Sequence, residues 1–293
     1  MVKQALPIYG ICNLNDYPGG DDELIADHFS DYLAAHRDLH FPHKHSFFHL
    51  VYFTKGSGNH SIDFVQYPVL PGQIYFMIPG QVHTWDFNNS PDGFIINFSA
   101  HYLESLIADP RYTDRFSFFS GASNDQVIQL PAAIQPAIKK ILENIVRENQ
   151  RQNKLYKDLI RLLLIELFIL TERTVTKEDP LLTTRNKQSL VRDFQQLVEL
   201  HYKEKKLTKD YADILHVTPN HLNALCKKNS GIPAGEVIRE RVLLEAKRLL
   251  INAQMTIAEI ALELNFSDNS YFSRFFKKYA GVTPETFRKQ VLK

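Results

Sequence analysis

The stretch MTIAEIALELNFSDNSYFSRFFKKYAGVTPETFR, Met255 to Arg288, carries two helical patterns with a break between them. Ile257, Ile260, Ala261 and Leu264 recur at helical spacing until Asn265-Phe266 interrupts them; asparagine tolerates the left-handed backbone that a tight turn needs. Ser267 then offers an N-cap oxygen to a second helix. On that helix Phe272, Phe275, Phe276 and Tyr279 fall at i, i+3, i+4 and i+7, one stripe expected to be buried. Asn269, Ser270, Ser273, Arg274 and Lys277 are left on the other face. Short polar groups near a helix start, with cations further along, suit the reading of base edges and the gripping of phosphates.

An earlier segment repeats the pattern, which is a sharper signal than composition. LTKDYADILHVTPNHLNALCKKNSGIPAGEVIR, from Leu207, aligns Thr208 with Thr256, Ala212 with Ala261, Leu215 with Leu264 and Leu222 with Phe272. Lys227, Lys228 and Gly231 align with Lys277, Lys278 and Gly281, the offset growing from 49 to 50 within the turn. Between the copies, Gly235 to Asn252 carries Val237, Ile238, Val242, Leu243, Ala246, Leu249 and Leu250 at helical spacing with no breaker. This predicts one continuous helix holding the two copies relative to each other.

The 293 residues carry a net charge of +1, but the sign is divided along the chain. Arg185 to Lys293 holds 19 Lys and Arg against 12 Asp and Glu, net +7, while Met1 to Thr184 holds 15 against 21, net −6. The change falls at the polar stretch TVTKEDPLLTTRNKQS, Thr174 to Ser189. A basic half is what phosphate neutralisation requires, although charge of this size equally suits an ordinary solvated surface. Apolar residues at 44% suit one large core or two ordinary ones, and the length favours two. Cys12 and Cys226 stand far apart without ligand-type spacing, so neither a disulfide framework nor a zinc finger is expected. The N-terminus lacks the apolar core of an export signal, and the run Leu159 to Leu170 is broken by Glu166. A cytoplasmic protein with no membrane partner is expected.

The pattern RVLLEAKRLLIN…TIAEIALELNFSDNSYFSRFFKKYAGVTPETFR closely resembles the AraC family of bacterial transcription regulators. The resemblance implies an all-α C-terminal domain with two helix-turn-helix units that enter successive major grooves of double-stranded promoter DNA. Carried over by position, base contacts fall to Asn269, Ser270, Ser273 and Arg274 in the second unit and to Pro219, Asn220, Asn223 and Ala224 in the first, with Lys277 and Lys227 beside them. Ala224 stands where the second copy has Arg274, so the first unit lacks a guanidinium for guanine. Asn265 replaces the usual turn glycine.

From Phe47 to Ala100, apolar strands alternate with turn signals: SFFHLVYFTKG, NHSIDFV, YPVLPGQIYFMIPG, VHTWDF, GFIINFSA. Such spacing predicts a small barrel or sandwich. The stretch HKHSFFHLVYFTKG…PGQVHTW resembles the cupin barrel that AraC-type regulators carry as a sensory domain. His43, His45 and His49 share strand parity, and the resemblance aligns His83 with the histidine of the second cupin motif. Metal-dependent cupins hold His, His, Glu and His at these positions, and here His49 replaces the carboxylate. No metal or other cofactor is assigned; His43, His45, His49, His83, Trp85 and Asn97 are expected to line an effector pocket.

AAIQPAIKKILENIVREN and KLYKDLIRLLLIELFILTER read as two helices, the second apolar around most of its circumference. Leu159, Leu163, Leu167 and Leu170 are the expected interface of a homodimer, which the family resemblance also implies. The expectation is therefore an α+β multidomain protein: a cupin-like effector-binding and dimerisation domain over 1–173, a linker over 174–189 and a DNA-binding domain over 190–293. Its expected function is that of an effector-responsive regulator, more often activator than repressor, and not an enzyme, with RNA polymerase as a further candidate partner. The alternatives are a metal-dependent cupin enzyme or metal sensor fused to a DNA-binding domain, and a ligand-independent regulator whose barrel only dimerises.

Overall fold

The computed structural model describes residues 7–11, 14, 23–36, 39, 41–104, 106–107, 112–120, 125–175, 185–252 and 254–291, without the side chains of 185–189, 192, 229 and 230. Cys12 lies outside the described residues. The chain divides into two compact units at Glu178/Asp179.

Among the described residues, the N-terminal unit is built on two five-stranded sheets. One has the order β1 (Ile8–Tyr9), β3 (His43–His45), β8 (Val82–Phe87), β5 (Gly58–Ile62), β6 (Val65–Pro68). The other runs β10 (Val127–Gln129), β7 (Gln73–Met77), β4 (Phe48–Lys55), β9 (Asp92–Phe98), β2 (Leu24–His28). Five strands match the segments read from sequence; β1, β2, β3 and β10 lie outside them, and NHSIDFV is split into the β5–β6 hairpin. Asp63 and Phe64 form its turn, both at positive φ (47° and 72°), the backbone a tight two-residue hairpin demands. Asp63 is held there by Gln81 Nε2, which donates to Oδ2 at 2.8 Å, and by the Val82 amide, which donates to Oδ1 at 3.2 Å.

The second sheet is buried on both faces. Leu50, Tyr52, Ile74, Phe76, Phe94, Ile96 and Phe98 face α3 (Gln135–Arg151) and α4 (Tyr156–Val175), packing on Ile138, Leu142, Leu164, Leu167 and Phe168. The alternate residues Val51, Phe53, Tyr75, Met77 and Ile95 face inward to Ile62 and Trp85 of the first sheet and Phe29 of α1 (Phe29–Ala35). Short α2 (Ala100–Glu104) follows β9.

This packing covers most of the expected dimer face. Leu167 is fully buried in the helix–sheet core, and Leu163 and Leu170 pack against it; of the four expected interface residues only Leu159 is exposed. The apolar row open to solvent is instead Leu155, Leu159 and Leu162, at 67%, 44% and 56% exposure. Helix α4 continues to Val175 and α5 (Arg185–His201) begins at Arg185, so both ends of the expected linker 174–189 are helical, and residues 176–184 lie outside the described residues.

The C-terminal unit is all helical: α5, α6 (Thr208–Ile214), α7 (Pro219–Ser230), α8 (Ala234–Ile251), α9 (Ile257–Glu263), α10 (Asn269–Ala280) and α11 (Pro284–Val291). Helix α8 runs through its core, where Ile238, Val242, Ala246 and Leu250 meet Phe194, Tyr211, Leu222, Ile260, Leu264, Phe272 and Phe276. Arg241 of α8 donates to Glu199 of α5 at 2.7 Å and to Glu245 at 3.1 Å, and its guanidinium lies 3.9 Å from the Tyr202 ring centroid.

The repeat is confirmed with its register refined. Thr256 caps α9 through a reciprocal box with Glu259, and the equivalent N-cap before α6 is Leu207, so Thr208 corresponds to Ile257 and not to Thr256. Asn265 takes the expected left-handed φ of 53°, matched by His216 at 55°. Asp268, not Ser267, is the N-cap of α10: a carboxylate oxygen reaches the Tyr271 amide at 2.6 Å, leaving Ser267 as the extra turn residue. Phe272 and Phe276 are fully buried, but Tyr279 is 39% exposed, so the aromatic stripe is narrower than its spacing suggests.

Gly93 sits opposite the β4 bulge between Phe53 and Lys55, at φ 154°, and a Cβ there would overlap the Tyr52 carbonyl. Gly80 is also at positive φ (85°) but open on all sides. Gly80→Ala should cost about 1–2 kcal/mol of backbone strain, and Gly93→Ala clearly more, as read from denaturant unfolding followed by the fluorescence of Trp85, the sole tryptophan.

Candidate functional site

Two sets of side chains stand out, one on each unit. On the helical unit, α7 and α10 each span 12 residues, start at a side-chain N-cap and end at a left-handed glycine, Gly231 or Gly281. Thr218 Oγ1 accepts from the His221 amide at 3.2 Å, as Asp268 does from Tyr271. The Asp268 carboxyl is held below its ordinary value first by that amide and more weakly by the charge of Arg274.

Equal length and capping give both helices the same presentation. Asn220, Ala224 and Lys227 are exposed on α7, as are Asn269, Ser270, Arg274 and Lys277 on α10; Pro219 and Ser273 are half-buried. Arg274 makes no hydrogen bond or close ion pair among the described residues, so its guanidinium is available to an outside acceptor. Asn223 has a different task from the one expected. It is half-buried, and its Oδ1 accepts from the Gly235 amide at 3.4 Å, tying α7 to the first turn of α8, where the N-cap Pro233 has no side-chain acceptor. Sequence reasoning passed over His221 and Tyr271, equivalent exposed residues at the third helical position; the 50-residue offset was the signal that pairs them.

Inside the barrel the structure brings together all six expected pocket residues. In the first sheet, β3, β8 and β5 lie side by side, pairing His43 with His83 and Trp85 with His60. From the second sheet, β4 and β9 pair His49 with Asn97. All five histidines and Asn97 are buried to within 2% exposure. His60 was missed: it alternates with Ile62 on a short strand, a pattern that by itself marks only an inward-facing residue.

The rings are in contact. His45 Nε2 lies 2.8 Å from His83 Nε2, and His83 Nδ1 lies 3.1 Å from His60 Nε2, forming a relay of three imidazoles. His60 stacks on Trp85 with centroids 3.7 Å apart, and His45 stacks on His49 at 5.0 Å. His43 Nδ1 donates to the Phe41 carbonyl at 2.7 Å, and His49 Nδ1 donates to Asn97 Oδ1 at 2.7 Å. These bonds fix the tautomers, leaving the Nε2 of His43 and of His49 as bare lone pairs. Neither atom has a hydrogen-bond partner among the described residues, nor do His45 Nδ1, His60 Nδ1 and Asn97 Nδ2. Burial pushes every one of these imidazoles below its ordinary pKa, His45, His60 and His83 well below it and His49 to about 3, so they are neutral at physiological pH. The nearest Nε2 or Nδ1 atoms of His43, His45 and His83 all fall within 4.8 Å of one another, a spacing at which three imidazoles can share a metal ion.

A separate cleft of about 220 Å³ opens on the helix-facing side of the second sheet, lined by Phe48, Leu103, Glu104, Ile107, Tyr112 and Thr113. It is smaller than the roughly 300–1,000 Å³ typical of organic-ligand sites. No helix among the described residues is long and apolar enough to cross a membrane.

A paired helix-turn-helix unit and a strand-built sensory unit define a transcription regulator, and comparison with known proteins agrees. The AraC-like ligand binding domain matches residues 30–166, and a helix-turn-helix domain matches residues 211–290. The Msm operon regulatory protein of Streptococcus mutans is 24% identical over 289 residues, 98% of each chain. The arabinose operon regulatory protein of Salmonella typhimurium is 26% identical over 230 residues, 76% of each. The transcriptional activator RhaR of Yersinia pestis is 21% identical over 257 residues, 86% of this chain and 85% of its own. The chain belongs to the AraC family of DNA-binding transcription regulators.

The depressed imidazole pKa values fix a pH dependence. Histidines that protonate near 6.5 when unfolded but far lower when folded stabilise the barrel fully above that pH, and the contribution falls away as pH drops toward 3. Each such group should lower stability by up to about 1.4 kcal/mol per pH unit below 6.5. Unfolding followed by Trp85 fluorescence should therefore show a steep loss between pH 6.5 and 4.5; a flat profile would contradict neutral burial.

Proposed function

We propose that this protein is an effector-responsive activator that binds promoter DNA as a homodimer through α7 and α10 and senses its ligand at the imidazole cluster of the barrel. The observation that carries the DNA-binding half of this reading is the pair of equally capped recognition helices, each with an exposed polar row beginning in its first turn. Net charge of +7 on residues Arg185 to Lys293 supplies non-specific attraction to phosphate. Asn220 and Ala224 read one groove, Asn269, Ser270, Ser273 and Arg274 the next, while Lys227 and Lys277 take phosphates; Pro219 fixes the start of α7 and Asn223 its seating. RNA polymerase is the partner through which an activator of this kind acts. Relatives named as operon regulators along nearly the whole chain support a sensor rather than an enzyme. A barrel that only dimerised would have no use for five buried histidines and Asn97 gathered at its centre.

Two experiments test this reading. A bidentate arginine–guanine contact discriminates by about 1–3 kcal/mol, so Arg274→Ala should weaken operator binding by that amount and relax one or two base positions, with non-specific affinity nearly intact. Asn220→Ala should relax a position about 10 base pairs away. Competition binding on a randomised operator reads both, and equal weakening on all sequences would refute the assignment.

The dimer is assigned to the exposed row Leu155, Leu159 and Leu162. Leu159→Glu with Leu162→Glu should give a folded monomer by sedimentation, whereas a persistent dimer would remove α4 from the interface.

A further inference from the structure

We infer that the barrel interior is a binding site for a divalent late first-row transition metal ion, with His43, His45 and His83 as ligands, and that this ion is the signal the regulator senses. The inference rests on the sensor reading of the barrel and names its ligand class. Three observations carry it.

The first is donor chemistry. His43, His45 and His83 offer ring nitrogens within 4.8 Å of one another, all buried. Imidazoles bound to zinc at about 2.0–2.1 Å in a tetrahedron lie about 3.4 Å apart; the His45–His83 separation of 2.8 Å is already close to that. His49, with its own unpartnered Nε2, stands beside them at 5.0 and 5.1 Å between ring centroids from His45 and His83. A neutral all-nitrogen set with no carboxylate favours zinc, nickel, cobalt or copper over magnesium, calcium or manganese.

The second is orientation. A ligating histidine is held by a hydrogen bond from its other ring nitrogen to a fixed acceptor. His43 has one, Nδ1 to the Phe41 carbonyl at 2.7 Å, aiming the bare Nε2 inward. His83 has another: once Nε2 carries the metal, Nδ1 donates to His60 Nε2 at 3.1 Å. His60 thereby gains a role as the residue that positions His83.

The third is size. The cluster is filled by its own rings and by Trp85 and Phe47, with centroids 3.7 to 5.9 Å apart. These are van der Waals contacts, and an ion fits between ring nitrogens where a sugar or fatty acid would have to push the rings apart. Moving the proton shared between His45 and His83 onto a ring Nδ1 frees both Nε2 lone pairs for the ion, which also supplies a partner to His43 Nε2.

The test uses the full-length chain, purified without a metal-affinity tag and stripped with a chelator, then titrated with Co²⁺ and Zn²⁺. One equivalent of Co²⁺ should bind with the visible absorption of a low-symmetry nitrogen site, quench Trp85 fluorescence, and be displaced by Zn²⁺, which should raise the melting temperature by several degrees. His43→Gln and His83→Gln should each lower affinity at least about 100-fold and His60→Phe about 10- to 100-fold, while His221→Gln, on the exposed face of α7, leaves it unchanged. Folded wild-type protein that takes up no stoichiometric metal, or uptake indifferent to His43→Gln and His83→Gln, overturns the inference whatever the variants do to folding. Operator binding is measured on stripped and loaded samples. Specific DNA binding by a protein that takes no metal sinks the metal site alone; metal uptake with no specific DNA binding sinks the regulator reading instead; and identical operator affinity with and without metal overturns its role as signal.

Discussion

The N-terminal unit depends on one constraint: the sheet β10-β7-β4-β9-β2 is buried on both faces, so its side-chain alternation must satisfy two cores at once. Leu50, Tyr52, Ile96 and Phe98 belong to the helix side and Val51, Phe53 and Ile95 to the barrel side. A slip of one residue in β4 would drive His49 into the helix–sheet core and Leu50 toward the imidazoles. The apolar packing that stabilises the fold therefore also aims His49 and Asn97 inward, and polar cluster and hydrophobic core are specified by the same register.

That cluster is costly to bury unless its polar atoms are partnered. Buried nitrogens on His43, His45, His49, His60 and Asn97 have no hydrogen-bond partner among the described residues, and a buried polar atom left so costs about 1–3 kcal/mol. The surrounding rings Phe29, Phe53, Tyr75, Trp85 and Phe87 pack edge to face around it and offset part of the deficit. Places where local rules are broken inside an otherwise consistent core are where function is expected.

What could be read in the sequence follows from how local each signal is. The helical repeat was legible because each copy carries its own period, turn and cap, and α8 lacks any breaker; even so, the choice between Ser267 and Asp268 as N-cap turned on which oxygen reaches the Tyr271 amide, a matter of one residue in a loop. The inward set His43, His45, His49, His83, Trp85 and Asn97 was legible from parity and likeness. His60 was not, since its partner Trp85 is brought to it only by the β5–β8 pairing. The strands β2 and β10 were missed because their pairing is set by β9 and β7, far along the chain. Leu163, Leu167 and Leu170 looked surplus because an apolar helix does not announce how much of its girth a sheet will cover.

The two recognition helices are alike in length and capping but not in freedom. On α10, Arg274 projects with no close partner among the described residues, whereas on α7 the equivalent position is Ala224 and the neighbouring amide of Asn223 leans on the start of α8. A side chain already holding the helix to its scaffold positions that helix well but has less to offer a base, since its acceptor must be shared or released. The α8 core and the Arg241–Glu199 tie hold the helical framework on which both recognition helices sit, so rigidity is common to them while chemistry is not. With the framework shared and the donors unequal, the proposed reading of the two helices places base discrimination chiefly on α10 and leaves α7 to hold its partner in register on the duplex.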